Sequence, residues 1–263
     1  MSAVPLVAGT AGALGLLVGS FLTVVIHRVP EGLSVVRPRS ACPSCAAPIR
    51  PRDNVPVLSW VLLRGRCRDC GVAVPVRYPA VEAGTGLLFA AVAAAYGRSP
   101  VLAALLWLTA AGVALSLIDL DHHRLPDAIV LPSYLVVAVT LGYAALVTEA
   151  PPVGRALLSA AAWLGLYGAL WLGTAGRGMG LGDVKLAGPL GAVLGWLGWG
   201  ASVLGLFAGF AVGAAVGLAL VGTGRLDRRA RIAHGPFLLA GAALGAFLGE
   251  PLWHAWLGYV GLA

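Results

Sequence analysis

All four cysteines of the 263-residue chain fall in two pairs, Cys42 with Cys45 and Cys67 with Cys70, spaced as C-x2-C, 21 residues, C-x2-C. Each pair lies on a turn-forming run, "CPSC" and "CRDC", the second followed by Gly71. Four thiolates at such a spacing can close a tetrahedron around zinc, although the interval is slightly longer than in the usual zinc ribbon. With no added histidine ligand the site is closed, so its expected role is that of a structural staple for a polar segment with too little core to fold alone. Disulfides are the competing account, and a reducing compartment disfavours them.

The second chemistry-bearing set is acidic. In "SLIDLDHHRLPDAIV", residues 116–130, Asp119 directly follows an apolar run, with Asp121 and Asp127 in the turn after it. An acid at that depth is costly unless something uses or neutralises it. In "GMGLGDVKL", residues 179–187, Asp183 stands at the head of a later apolar run, where the positive end of a helix favours a carboxylate. Gly178, Gly180 and Gly182 leave room for extended backbone, a substrate strand or another helix, to lie beside it. Two carboxyls held about 3 Å apart share a proton: the ionised one can deprotonate a water, and the protonated one can donate to a peptide carbonyl oxygen and then to the leaving nitrogen.

Asp119 and Asp183 are therefore candidates for a hydrolytic pair that needs no catalytic metal, with Gly180, Gly182 and Lys185 as substrate path and support. Two blander readings stay open on the residues alone: the acids cap and solvate helix ends, or they relay protons in a coupled transporter. Asp121, Asp127 and Lys185 read as interfacial charges, and His122 and His123 as exposed turn residues. Neither a P-loop nor a dinucleotide fingerprint is present, so phosphate cradling is a poor account of the glycines.

The elements that must position these groups are membrane helices. The chain is 59% hydrophobic and 11% charged, with a mean hydropathy of +0.89, which excludes an ordinary soluble domain. Apolar runs of spanning length predict an all-α polytopic membrane protein with eight helices, at about 4–26, 80–97, 101–118, 128–148, 156–175, 186–200, 202–222 and 237–259. The first run is of full length and lacks a basic segment before it, so it is expected to be retained. Pro5, Pro100, Pro126, Pro151, Pro152 and Pro236 fall at or near the gaps. Residues 27–79 form the one long polar loop, and the expected division is an N-terminal region, 1–97, and a second domain, 98–263.

The net charge of +7 does not indicate nucleic acid, because the basic residues are sorted by side. With the N-terminus outside, nine arginines from Arg28 to Arg77 share one face with Arg124, Arg177, Lys185, Arg225, Arg228, Arg229 and Arg231, leaving only Arg98 and Arg155 on the other. That split places the polar loops in the cytoplasm, facing anionic lipid headgroups. Two whole spans separate Asp119 from Asp183, and two more separate the cysteine loop from Asp119, so all three islands meet one face. Glycines at every fourth position, Gly205 to Gly217 and Gly241 to Gly249, are expected to serve close helix packing.

The motifs in order, "GSFLTVVIHRVP" at 19–30, "CPSC", "VPVLSWVLLRGRC" at 55–67, "CRDC", "RYPAVE" at 77–82, "IDLDHHRLPD" at 118–127, "GMGLGDVKL" at 179–187 and "GPFL" at 235–238, cover nearly the whole chain. Their order and spacing resemble the bacterial prepilin peptidases, membrane aspartic proteases that process type IV pilins and pseudopilins. The resemblance implies that Asp119 and Asp183 are the catalytic pair. It also implies cleavage of a short basic leader after a glycine at the cytoplasmic face of the inner membrane. Many members then methylate the new amine with S-adenosylmethionine, an activity associated with the cysteine-bearing region, which is intact here. His27, Arg28, Asn54 and Glu82 could shape the methyl-transfer or leader site, and His234 stands ambiguously before "GPFL".

Overall fold

A computed structural model describes residues 4–225 and 232–261. Of the basic residues assigned to the inner face, Arg228, Arg229 and Arg231 lie outside the described residues. Among the described residues the regular structure is helical: α1 (Val4–Arg28), α2 (Leu58–Leu62), α3 (Arg77–Tyr96), α4 (Leu102–His122), α5 (Asp127–Val147), α6 (Val153–Gly173), α7 (Leu181–Leu197), α8 (Trp199–Gly222) and α9 (Gly235–Tyr259). Seven of these, all but α2 and α7, are long and apolar enough to cross a membrane. The protein is thus an all-α polytopic membrane protein, and Leu87, Leu146 and Leu218 stand on its exposed helix faces. Helices close their backbone hydrogen bonds internally, as a hydrocarbon solvent demands.

Every expected span is present as a helix, with shifted ends. α4 runs on to His122, so Asp119 and Asp121 lie inside its last turn and not beyond it. The helix stops where His123 takes a positive φ of 52° while its N–H bonds the Asp119 carbonyl at 2.8 Å. α7 starts at Leu181, five residues before the expected start at 186, because the glycine-rich stretch supplies its cap. It has 17 residues, rising about 26 Å, the lower end of a spanning length. Pro132, Pro189 and Pro251 lie within helices and so add to the prolines expected at gaps. The polar loop is interrupted by a 3-10 turn, Pro51–Asp53, and by α2.

The chain divides into two compact units, Met1–Leu102 and Ala103–Ala263. In the first, α1 and α3 pack through glycines: a Cβ on Gly15 would lie 2.8 Å from the Thr85 carbonyl oxygen, and one on Gly19 2.8 Å from Glu82 Cα. Glu82 then accepts a hydrogen bond from the Val57 N–H at 2.6 Å and so ties the polar loop to α3.

In the second unit α7 is the buried core, with Leu186, Ala187, Leu190, Val193 and Leu194 all enclosed. A Cβ on its Gly191 would sit 2.9 Å from both the Ser159 carbonyl and Trp163 of α6. The glycine stripes of α8 and α9 face each other: a Cβ on Gly245 would lie 2.6 Å from Gly205 Cα. Helices gain packing in lipid by such close approach. The short turn from α7 into α8 at Gly198 is held from two sides. Arg155 donates to the Gly195 and Trp196 carbonyls at 2.7 and 2.8 Å, and Glu250 accepts from the Ala201 N–H at 3.0 Å. Each charge faces the helix end of opposite sign.

Candidate active site and metal centre

Asp183 is the third residue of α7, with Gly180 as its N-cap in extended geometry. Its Oδ2 accepts the Gly180 N–H at 3.1 Å, the backward half of a capping box. The capping reading therefore accounts for one oxygen. Oδ1 is buried and has no hydrogen-bond partner among the described residues. That oxygen faces a buried space and is left free to take a proton, a water or a substrate group.

Asp119, on the last turn of α4, accepts the Gly235 N–H on Oδ2 at 3.0 Å. Gly235 opens α9, and a Cβ there would lie 2.8 Å from that same oxygen. Both acids are only 6% exposed. A single side chain links their surroundings. Leu125, in the turn between α4 and α5, places Cδ1 3.5 Å from where a Gly182 Cβ would be and Cδ2 3.1 Å from where a Gly235 Cβ would be. Leu125 lies close beside Gly182: a Cβ there would come within 2.8 Å of Leu125 Cβ. A Cβ on Gly180 would meet the Asp183 carboxylate at 3.3 Å and the Gly182 amide nitrogen at 3.9 Å.

Around the acids, Lys185 Nζ donates to both carboxylate oxygens of Asp127 at 2.8 Å, and the Tyr134 hydroxyl donates to the Lys185 carbonyl at 2.6 Å. The interfacial charges Asp127 and Lys185 are thus one ion pair joining the first turns of α5 and α7. Asp121, His122 and His123 are exposed. His234, the N-cap of α9, meets the buried Tyr167 hydroxyl through Nε2 at 3.3 Å and lies 5.3 Å from the Phe210 ring. Burial pushes its pKa below the usual histidine value.

The cysteine pairs form two knuckles of one design. Cys42 and Cys67 donate their N–H groups to Ala47 and Val72, at 2.9 and 2.8 Å, and Ala46 and Gly71 each turn with positive φ, 57° and 72°. The four Sγ atoms lie within 4.8 Å of one another, and none is in a disulfide. Cys42 and Cys70 Sγ are 3.8 Å apart, the edge of a tetrahedron whose metal–sulfur bonds are about 2.3 Å. The Cys45 and Ser44 amides draw the Cys42 thiol down to about 7, which favours the thiolate a metal needs. The donor set therefore fits zinc. A bidentate Arg68–Asp53 ion pair and a single Arg50–Asp69 contact at 3.0 Å brace the knuckles.

Of the other polar residues singled out, Arg28 donates to the Ser34 carbonyl at 2.9 Å, Asn54 closes the 3-10 turn, and His27 is exposed. Leu125 and Tyr167 escaped sequence reasoning. An apolar or aromatic residue in an apolar chain carries no contrast, and only the position of Leu125 within "RLPD" marks it.

Family models match most of the chain. That of the bacterial peptidase A24 N-terminal domain covers residues 13–96, and that of the type IV leader peptidase family covers residues 102–218. Among curated relatives, the prepilin leader peptidase/N-methyltransferase of Burkholderia pseudomallei (strain K96243) is 38% identical, over 91% of this chain and 85% of its own. Those of Pseudomonas aeruginosa and Stutzerimonas stutzeri are 34% and 33% identical, over 94% and 95% of this chain and 92% and 93% of theirs. No solved structure matches.

Proposed function

The chain belongs to the type IV leader peptidase family, and from that premise we propose that it removes the basic leader of type IV prepilins and pseudopilins with Asp119 and Asp183, then methylates the new N-terminus. The site that does this lies at the cytoplasmic face of the bacterial inner membrane, as does the cysteine loop, a placement supported by the sorting of basic residues. The observation that carries the peptidase reading is the buried Oδ1 of Asp183, unpartnered among the described residues, on a helix start that shares Leu125 with Gly235, the residue holding Asp119. A hydrolytic pair uses such an oxygen, either to share a proton or to hold the attacking water.

In the reaction, the ionised carboxylate takes a proton from water as the water oxygen attacks the carbonyl carbon of the leader's last glycine. The protonated carboxyl donates to the carbonyl oxygen, giving a tetrahedral diol. Collapse breaks the C–N bond while a carboxyl delivers the proton to the leaving nitrogen. The Gly235 and Gly180 N–H groups hold the two carboxylates in register through this exchange. Zinc on Cys42, Cys45, Cys67 and Cys70 would staple the polar loop and take no part in hydrolysis. Methylation would draw its methyl group from S-adenosylmethionine, to which no described residue is assigned.

The test is cleavage of a leader-bearing prepilin by the detergent-solubilised protein. Asp119→Asn and Asp183→Asn should each lower cleavage by more than about 100-fold, the scale of lost acid–base catalysis, without a change in melting temperature large enough to unfold the protein. Either variant cleaving at the wild-type rate removes that aspartate from the mechanism. A proton-coupled transporter receives no support from the relatives' names.

A further inference from the structure

We propose that Leu125 is a positioning residue, a spacer whose forked side chain sets the separation of Asp119 and Asp183, with the Asp127–Lys185 ion pair as the latch that keeps it seated. The inference rests on the peptidase reading above. Its geometry is specific: the two methyl groups of one side chain lie against two glycines on different helices. Gly182 immediately precedes Asp183, and Gly235 donates the hydrogen bond that holds Asp119. The backbone on either side of the fork is thus the backbone that carries or orients each acid.

The turn bearing Leu125 is itself fixed at both ends. Behind it, the His123 N–H returns to the Asp119 carbonyl at 2.8 Å. Ahead of it, Asp127 grips Lys185, two residues beyond Asp183, through both oxygens. Any side chain on Gly182 would press on the spacer, since a Cβ there would lie 2.8 Å from Leu125 Cβ. An ion pair as exposed as Asp127–Lys185 contributes little to stability, which leaves geometry as the reason for its bidentate placement. Leu125 is half-buried, and removing the fork leaves a gap between the two helix starts that closes by collapse or fills with water. Both outcomes shift one carboxylate against the other.

The experiment is prepilin cleavage with kcat and KM measured separately, with melting temperature as the control for folding. Displacing a reacting group by about 1 Å can cost about 100-fold in rate, so Leu125→Ala should lower kcat by about 10- to 100-fold with KM unchanged within about twofold. Leu125→Met, which keeps the bulk but has one end where leucine has two, should recover activity only in part, to between that of Leu125→Ala and the wild type. Should Leu125→Ala fail to fold, Leu125→Val shortens the fork by one carbon and makes the same test. For the latch, Asp127→Lys and Lys185→Asp should each reduce kcat, and the double charge swap should recover it.

A wild-type kcat in Leu125→Ala, a defect confined to KM, or a charge swap no better than its single changes would overturn the proposal. Failure of the underlying reading looks different: Asp119→Asn and Asp183→Asn would then retain cleavage, whatever Leu125 does.

Discussion

His234 is enclosed by the rings of Tyr167 and Phe210 and adjoins the residue that holds Asp119. Burial lowers its pKa from the ordinary 6.5. A depressed folded-state value means that the unfolded chain binds the proton more readily, so its contribution to stability is full above pH 6.5 and is lost as the pH falls towards the folded-state pKa. Thermal melts in detergent should show stability declining with acidification from that point, and His234→Gln should flatten the decline while preserving a partner for the Tyr167 hydroxyl. An unchanged slope in the variant would assign the acid sensitivity to other groups. Asp119 and Asp183 were legible because a carboxylate contrasts with apolar sequence. That one oxygen of Asp183 caps a helix while the other is left unpaired depends on folded geometry, and no pattern of residue types encodes it.

At the scale of elements, the two cysteine knuckles differ in one telling residue. Both turn through a positive φ after the second cysteine, with Gly71 in one and Ala46 in the other. A side chain in that conformation costs roughly 1 kcal/mol, and a Cβ on Gly71 would meet nothing within 4 Å. Gly71→Ala should therefore destabilise the loop by about 1 kcal/mol through the backbone alone, and Ala46→Gly should stabilise it by a similar amount. Denaturation of the metal-loaded protein, followed by metal release, measures both. Helix existence was readable from apolar run length, because a bilayer fixes how much hydrocarbon a span needs. Helix ends were not, since they are set by caps: polar residues from Gly180 to Lys185 looked like a loop and proved to be the first turns of α7 and its cap.

At the scale of the whole molecule, the thiolates belong to the first unit and both acids to the second. Metal should accordingly matter to one activity more than to the other. Cys42→Ser is expected to release the ion and to depress methylation of the cleaved pilin more than cleavage itself, with metal analysis of reduced wild-type protein giving one zinc per chain. Equal loss of both activities would show that the loop supports the acids as well. Within the second unit, the clasp formed by Arg155 and Glu250 around Gly198 fastens α6, α7, α8 and α9 at the end remote from Asp183. It acts as the rivet of a pair of tongs: helices pinned there are freest to part at the opposite end, where Asp183 lies. Loosening it would alter how widely they gape without touching the teeth.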